Sequence, residues 1–292
     1  KIELLSYIIP FALPGVAITL SQTVDTFMIN RVLVLKGYSL YEAETINAVV
    51  SLAQKVSMIP VVVATAFSIA AIPIISSMYK GNKIELIREE ITKILKAILF
   101  FTFPAAVGLI ILGKSIYATI FGVELHYMGG DLLSWYAVVC LLFALYSFSN
   151  AILLSINQTK WVIVSLAVGL SVKLFSNYSF ILLFDGFGTV FSTMLSFSII
   201  VIIQMSVIQG NAKYNWLENI YSAKTTFVNS ILMGFLIAPF GLLSLSIENY
   251  WLHLIITVTA VLIGGILYFW FSYKSGTIKI LSEMMNNNHI NK

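Results

Sequence analysis

Long apolar runs separated by short polar segments recur along the whole chain. Each run holds about 20 mostly apolar residues, the length at which an α-helix crosses the hydrocarbon core of a bilayer. No run alternates apolar and polar residues over about ten positions, as strands of a membrane barrel do. The pattern predicts an all-α polytopic membrane protein with about eight transmembrane helices. The predicted spans are 4–30, 49–78, 96–112, 132–156, 161–184, 187–208, 225–246 and 251–271.

The composition indicates a surface that meets lipid rather than water. Of the 292 residues, 59% are hydrophobic and 10% are charged, and the mean hydropathy is +0.94. Soluble domains carry about 25% charged residues. The charged residues here are too few to form the water-exposed surface of a 32.4 kDa globular protein. This excludes a soluble enzyme, a nucleic-acid-binding protein and a secreted disulfide scaffold. The net charge of +4 is assigned to cytoplasmic loops.

Lysine and arginine are unequally distributed between the two sides of the membrane. If the N-terminus is cytoplasmic, twelve of the seventeen lie in inside segments, three lie outside and two lie within spans. Because positive residues are retained on the cytoplasmic side, this predicts a multi-pass protein of the cytoplasmic membrane with both termini inside.

Two inside segments have distinct character. Segment 80–95 has apolar residues at helical spacing and charges on the other face, which predicts an amphipathic cytoplasmic helix lying beside anionic lipid. A solvated connector is the alternative for this segment. The Asn-rich tail, 274–292, is predicted to be a disordered cytoplasmic tail.

Three ionisable residues lie within predicted spans, where charges are costly and usually functional. They are Asp25, Lys55 and Lys173. Lys173 is about 16–18 Å of helix from either end of its span, too far for its side chain to reach water along the helix. Its ammonium must therefore face protein or a water-filled cavity. Asp25 and Lys55 lie nearer the outer end, where reaching the headgroups is an alternative.

The span of Lys173 carries a stripe of small and polar residues at successive i+4 steps. Ser165 and Gly169 are interpreted as helix-packing positions, whereas Lys173 and Asn177 are predicted to line a cavity. Depth along the helices allows Asp25 to meet Lys173 and Asn177.

Asp25 has a second possible cationic partner, Lys55. Gln22 lies one turn from Asp25 on the same helix face. The sequence does not choose between the two pairings.

The charge balance within the spans suggests a ligand. One carboxylate faces two ammonium groups, Lys55 and Lys173, which leaves one cation uncompensated. The hypothesis is a water-filled cavity with excess positive charge, through which an anionic amphiphile passes.

All six prolines lie within spans, and Pro14, Pro60 and Pro73 are predicted hinges of a bundle that alternates between inward-open and outward-open states. Simple tolerance of proline in membrane helices is the alternative.

Catalytic and metal-binding motifs are missing from the sequence. It contains no GxxxxGK[ST], HExxH, GxSxG or CxxC pattern. Its three histidines, His126, His253 and His289, are too scattered to form a ligand cluster, and His126 and His253 are interpreted as interfacial. The prediction is that the chain is not an enzyme and uses no cofactor or metal.

The first part of the chain resembles the second lobe of the multidrug/oligosaccharidyl-lipid/polysaccharide flippase superfamily. The residues that carry the resemblance are IIPFALPGVAITLSQTVDTFMINRVL at 8–33, KGYSLYEAETIN at 36–47 and LAQKVSMIPVVVATAFSIAAIPIISSMYKGN at 52–82. The branch it is most similar to is the polysaccharide transporters, with the stage V sporulation protein B group and MurJ-type lipid II flippases as relatives. The resemblance implies that 1–209 is a six-helix second lobe and that 210–273 forms two additional helices. It also implies a first lobe that this chain does not contain, in the same parent chain or in a second polypeptide.

The resemblance also implies roles for particular residues. Lys55, five positions before Pro60, is similar in placement to a basic residue, usually arginine, thought to meet the lipid diphosphate in lipid II flippases. Some relatives hold a monovalent cation with an acid on the first helix of this lobe and polar or acidic residues on the fifth and sixth. Asp25 matches the acid, Asn177 lies on the fifth helix and Thr193 on the sixth. Lys173 on the fifth helix would replace the metal with a built-in cation, so no metal is expected.

Three functions remain in competition. The first is a flippase that moves lipid-linked oligosaccharide or polysaccharide precursors, of the cell-wall or capsule type, across the cytoplasmic membrane by alternating access. The second is a cation-coupled multidrug exporter of the same superfamily, which would favour an acidic cavity. The third is a membrane scaffold for cell-wall synthesis that transports nothing and needs no charge at mid-membrane. The expected partners are the lipid-linked saccharide, the first lobe and membrane lipid, with no nucleic acid.

Overall fold

The computed structural model describes residues 2–122, 125–221, 223–247 and 249–279, with backbone alone for 2–15, 217–218 and 221. Every regular element in these ranges is an α-helix. In chain order they are α1 (Ile2–Lys36), α2 (Leu40–Lys80), α3 (Ile84–Phe121), α4 (His126–Ser155), α5 (Thr159–Phe184), α6 (Gly186–Ala212), α7 (Trp216–Tyr221), α8 (Lys224–Leu245) and α9 (Tyr250–Lys274).

The helices confirm a polytopic membrane architecture. Seven of those in the described ranges, α2 to α6 with α8 and α9, are long and apolar enough to cross a bilayer. They correspond to seven of the eight predicted spans. The remaining predicted span, 4–30, lies within α1, whose 35 residues form one continuous helix. The chain is therefore a multi-pass membrane protein.

The predicted surface helix at 80–95 is instead the start of α3. The helix runs without a break from Ile84 to Phe121, and Ile87 and Ile91 on its apolar face are fully buried within the protein. The prediction that this face lies on lipid is wrong, because the other helices of the lobe cover it. On its polar face, Arg88 donates from Nε to the carbonyl of Ala212 at 2.7 Å, which ties α3 to the end of α6.

Helix α4 is the centre of the six-helix lobe. It packs against α2, α3 and α6, with smaller contacts to α1 and α5. Its buried residues lie on all its faces, among them Leu133, Tyr136, Cys140 and Phe148. A helix that is apolar all round is a core helix, so the other five are arranged about it.

Helices α8 and α9 form a separate layer. They pack against each other and meet the lobe through α3. Their contact has its own small core, which includes Phe100 of α3, Met233 and Ile237 of α8, and Tyr268 of α9. The hydroxyl of Tyr268 donates to the carbonyl of Phe100 at 2.8 Å. This layer corresponds to the predicted segment 210–273. The segment 274–292 is predicted to be a disordered tail, but residues 277–279 are helical, and the chain from 280 on lies outside the described residues.

Helix ends that are predicted to lie on the same side of the membrane contact each other in the structure. Lys36 at the end of α1 forms an ion pair with Asp185, between α5 and α6, at 2.6 Å. Both positions are predicted to lie outside. Arg88 and Ala212, which are bonded to each other, are both predicted to lie inside. The assignment of these two sides to the cytoplasm and the exterior stays a prediction.

Close contact between α3 and α4 depends on small residues. A Cβ added at Gly113 of α3 would lie 2.5 Å from Ser134 Oγ and 2.8 Å from the carbonyl oxygen of Gly130, both on α4. The carbonyl oxygen of Gly130 is a backbone atom and cannot move aside without displacing α4. A side chain at position 113 would therefore push the two helices apart. Gly108, little more than one turn earlier in α3, has nothing within 4 Å of the same added atom.

We expect Gly113→Ala to destabilise the lobe by about 1–3 kcal/mol, the usual cost of overpacking a core. Thermal unfolding of the purified chain in detergent is the measurement. Gly108→Ala is the matched control on the same helix and should leave the melting temperature unchanged or raise it, since alanine favours the helix. Equal melting temperatures for the two variants would contradict the proposed contact.

Candidate functional site

The centre of the six-helix lobe holds a buried ion pair. Lys173 Nζ of α5 lies 2.6 Å from Asp25 Oδ1 of α1, and the two side chains are 0% and 2% exposed. Of the two pairings that the sequence left open, the structure forms the one between Asp25 and Lys173. Burying either charge alone would be costly, so the pair explains why both residues are tolerated in the lobe interior.

Oxygen atoms of α6 complete the surroundings of the ammonium. Lys173 Nζ donates to Ser192 Oγ at 2.9 Å, to the carbonyl of Thr189 at 3.2 Å and to Thr193 Oγ1. These residues share one face of α6 because they are three and four positions apart. With Asp25, they place four oxygen atoms around one nitrogen.

Two further helices reach the pair through a glutamine and a tyrosine. Gln54 of α2 donates from Nε2 to Asp25 Oδ2 at 3.2 Å and to the hydroxyl of Tyr136 at 2.9 Å. Tyr136 of α4 lies 3.2 Å from Thr189 Oγ1. Side chains from α1, α2, α4, α5 and α6 thus meet in one polar cluster.

The predicted residues divide into those that join this cluster and those that do not. Asn177 joins it, accepting from Ser192 Oγ at 2.6 Å and donating to the sulfur of Met28 at 3.5 Å. Thr193 joins it as described. Gln22 is half-buried, and its side chain makes no hydrogen bond to the cluster.

The prediction that Lys173 and Asn177 line a cavity is wrong. Both are fully buried, and their polar atoms are bonded to neighbouring helices. The interpretation of Ser165 and Gly169 as packing positions agrees with the structure, in which Gly169 lies against α6 and Ser165 accepts a hydrogen bond from Gln204.

Four residues of the cluster were not predicted from the sequence: Gln54, Tyr136, Thr189 and Ser192. A usable signal existed for the two residues of α6, because Thr189, Ser192 and Thr193 are three and four positions apart and form a polar face on a membrane-spanning helix. Gln54 and Tyr136 carried no such signal, since single polar residues on apolar helices do not show which way they point.

Lys55 is the second of the two lysines within the predicted spans, and it is not part of the buried ion pair. It follows Gln54 on α2, but successive helical residues are turned by about 100°, and Lys55 is exposed on the outside of the lobe. It forms no ion pair with any residue that the structure describes. The alternative pairing of Asp25 with Lys55 is therefore wrong. Because Gln54 bonds Asp25, Lys55 lies at about the depth of the buried pair.

An apolar groove begins one turn from Lys55. Its volume is about 440 Å³, and it lies between α2 and α3 on one side and α8 and α9 on the other. Ile59 and Pro60 of α2, Leu109 of α3, Ile237 of α8 and Gly265 of α9 are among its lining residues. The combination is an exposed ammonium beside a long apolar surface.

The cluster does not fit a monovalent metal ion. The family resemblance assigns such an ion to an acid of α1 with groups of α5 and α6, which is where Lys173 Nζ now contacts four oxygen atoms. An added cation would compete with the ammonium for the same oxygens and would be repelled by it. The absence of a resident metal remains a prediction.

The three predicted hinge prolines lie inside long helices. Pro60 and Pro73 are in α2, which continues as a single helix through both. Pro14 is in α1, at a position where the side chain lies outside the described part of the chain. Pro60 also lines the groove. A hinge role for these residues remains a prediction.

Comparison with known proteins gives a consistent result. No family model matches the chain. The lipid II flippase MurJ of Bacillus subtilis (strain 168) is 30% identical over 290 residues, which cover 97% of this chain. This chain is a homologue of the lipid II flippase MurJ. The predicted superfamily resemblance is thereby confirmed.

A solved structure shows the same fold. A solved structure of MurJ in an inward-closed conformation matches with a TM-score of 0.58 at 19% identity, over 82% of this chain and 54% of that one. In sequence, the chain covers 53% of the Bacillus MurJ. The chain therefore spans about half the length of the MurJ proteins that it matches.

We expect Lys173→Met to destabilise the chain by about 3–5 kcal/mol, because it leaves a buried carboxylate unpaired. Thermal or denaturant unfolding in detergent measures the loss. Lys55→Met is the matched control, since it removes a lysine at similar depth that has no ion pair in the described structure. The double variant Asp25→Asn with Lys173→Met should regain most of the lost stability. The ion pair has no such role if single and double variants unfold alike.

We expect the stability of the chain to be unchanged when sodium is replaced by choline at equal ionic strength. The ammonium of Lys173 already occupies the oxygen atoms that a small cation would need. Unfolding temperature in the two salts is the measurement, and a sodium-specific increase that disappears in Asp25→Asn would overturn the expectation.

Proposed function

We propose that this chain is the second lobe of a flippase for a lipid-linked saccharide precursor. In this proposal the chain moves the polar headgroup of the lipid from the cytoplasmic to the outer leaflet by alternating access. No bond is broken, so the chain acts as a transporter and not as an enzyme. The observation that carries the proposal is an exposed Lys55 at mid-lobe, without an ion pair to any described residue, beside an apolar groove in a homologue of MurJ.

Lys55 supplies the charge that a phosphate-bearing headgroup requires. An ammonium facing hydrocarbon at this depth would be costly. In this proposal its exposed side faces water, a ligand or another protein surface rather than the outer headgroups. An anionic headgroup satisfies that requirement through a charge-assisted hydrogen bond. Lys173 does not compete for the headgroup, because its charge is already neutralised inside the lobe.

The groove supplies a surface for the lipid tail. Ile59, one turn from Lys55, is part of its lining. A lipid whose headgroup meets Lys55 would therefore place its chain along α2 and α3, against α8 and α9. In this arrangement the headgroup crosses while the tail stays in an apolar environment.

A first lobe completes the transporter in this proposal. The chain spans about half of the matched MurJ proteins, and Lys55 lies on an uncovered face. A facing lobe, in the same parent chain or in a second polypeptide, would form the opposite wall of the cavity. Both termini of the present chain are proposed to lie in the cytoplasm, as the distribution of lysine and arginine predicts.

The alternative functions have less support. A drug exporter for cationic compounds needs an available acid at mid-membrane, and Asp25 is bonded to Lys173 and Gln54. A scaffold that transports nothing gives no reason for an exposed lysine at the depth of Gln54.

We expect Lys55→Ala to reduce flipping of a lipid-linked saccharide about tenfold to a hundredfold. A hydrogen bond to a charged group contributes roughly 1.5–3 kcal/mol. The measurement is the exposure of the labelled saccharide at the outer leaflet of proteoliposomes that contain the chain together with its first lobe. Lys55→Arg should retain activity because it keeps the charge.

Lys160→Ala is the matched control, since it removes another exposed lysine, at the start of α5 and away from the groove. It should leave flipping unchanged. Full activity of Lys55→Ala in correctly folded protein would refute the assigned role, and activity without any first lobe would refute the two-lobe arrangement.

A further inference from the structure

The junction between the α8–α9 layer and the lobe contains a buried histidine with two carbonyl partners. His253 of α9 is 3% exposed. Its Nδ1 lies 2.8 Å from the carbonyl oxygen of Ser244 in α8, and its Nε2 lies 3.2 Å from the carbonyl oxygen of Ser115 in α3. The expectation that His253 is interfacial is wrong, because the ring is enclosed where three helices meet.

The chemistry of these partners determines the protonation state that fits. A backbone carbonyl oxygen can only accept a hydrogen bond, so each ring nitrogen needs its own hydrogen to bond its partner. A neutral imidazole carries one N–H, and its other nitrogen would direct a lone pair at a carbonyl oxygen. Only the imidazolium bonds both carbonyls at once.

The position in the fold favours a positive charge. Ser244 lies in the last turn of α8, at the negative end of the helix dipole. The positive charge of a protonated histidine is stabilised at this negative end of a helix. The Ser244 carbonyl also accepts from the backbone N–H of Ile247 at 3.2 Å, and His253 adds a side-chain donor from α9 to the same oxygen.

Other titratable groups near this end of the three helices are few. On α3 they are Lys114, which pairs with Asp131 of α4 at 3.0 Å, and Tyr117. On α9 the other one is Tyr250, which donates to the carbonyl of Thr119 at 3.2 Å. The outer half of α8 has none. Glu124 and Glu248 lie outside the described residues.

We propose that His253 is a proton-binding site that fastens α8 and α9 to α3. With the proton bound, one ring joins all three helices. Without it, one of the two interhelical hydrogen bonds is lost and two acceptors face each other. The hydroxyls of Ser115 and Ser244, 2.6 Å apart, still join α3 to α8, so proton release weakens the junction without removing it. This proposal does not depend on the transport function.

Nitrogen-15 NMR of histidine-labelled chain in nanodiscs tests the protonation state directly. We expect both ring nitrogens of His253 to carry hydrogen at pH 6, and one to lose it as the pH rises. The resonance is assigned by its absence in His253→Gln. A neutral ring with a single N–H throughout the range from pH 5.5 to 8.5 would overturn the proposal.

Thermal unfolding across the same pH range tests whether the bound proton stabilises the junction of α8 and α9 with α3. The melting temperature should fall by about 2–4 °C as the pH rises, the effect of losing roughly one hydrogen bond in a chain of this size. His253→Gln, which cannot titrate, should remove this fall, whereas His126→Gln should retain it. A fall that persists in His253→Gln would assign the pH dependence to other groups and reject the proposal. If His253→Gln does not fold, the NMR measurement decides on a chain in which His126→Gln and His289→Gln remove the other two histidines.

Discussion

The buried ion pair between Asp25 and Lys173 is the constraint on which the arrangement of the lobe depends. Neither charge can be left alone in an interior without water, so α1 and α5 must bring them together. The remaining hydrogen-bonding capacity of the two groups then recruits α6 and α2, and through Gln54 it reaches α4. Helices in lipid gain little from hydrophobic association with one another, so a polar cluster that requires five of them sets their rotation and depth more strictly than apolar packing does.

The same cluster determines which charge remains available outside the lobe. Gln54 and Lys55 are neighbours on α2, yet one points to Asp25 and the other away from the lobe. Had α2 been rotated by about 100°, Lys55 would face the carboxylate and would compete with Lys173 for it. The inward glutamine thus fixes the outward lysine. A lobe of this kind can change its position as a rigid body while it presents one cation at a constant height, which suits a carrier of an anionic headgroup.

The sequence was sufficient for the spans and for the statement that Lys173 must avoid lipid, because length and distance from the helix ends decide both. The sequence did not determine how each helix is rotated about its own axis. The outside of a membrane helix and the interior of the lobe are both apolar, so the pattern does not reveal which side of α2 faces inward. The choice of Lys173 over Lys55 as the partner of Asp25 follows from that rotation. For the same reason, the apolar face at 84–95 looked suited to lipid although protein covers it, and His253 looked interfacial although three helices enclose it.

The groove joins two parts of the chain that are held together in different ways. Its α2 and α3 wall belongs to the lobe, whose helices are tied by the polar cluster and by the core around α4. Its α8 and α9 wall meets the lobe through α3, with a small apolar core, the bond from Tyr268 to Phe100 and the contacts around His253. Because the second attachment is smaller, a change in the width of the groove costs less at α8 and α9 than within the lobe. A carrier that admits an apolar chain between its helices needs such a difference, with a firm wall that positions the headgroup and a looser wall that accommodates the tail.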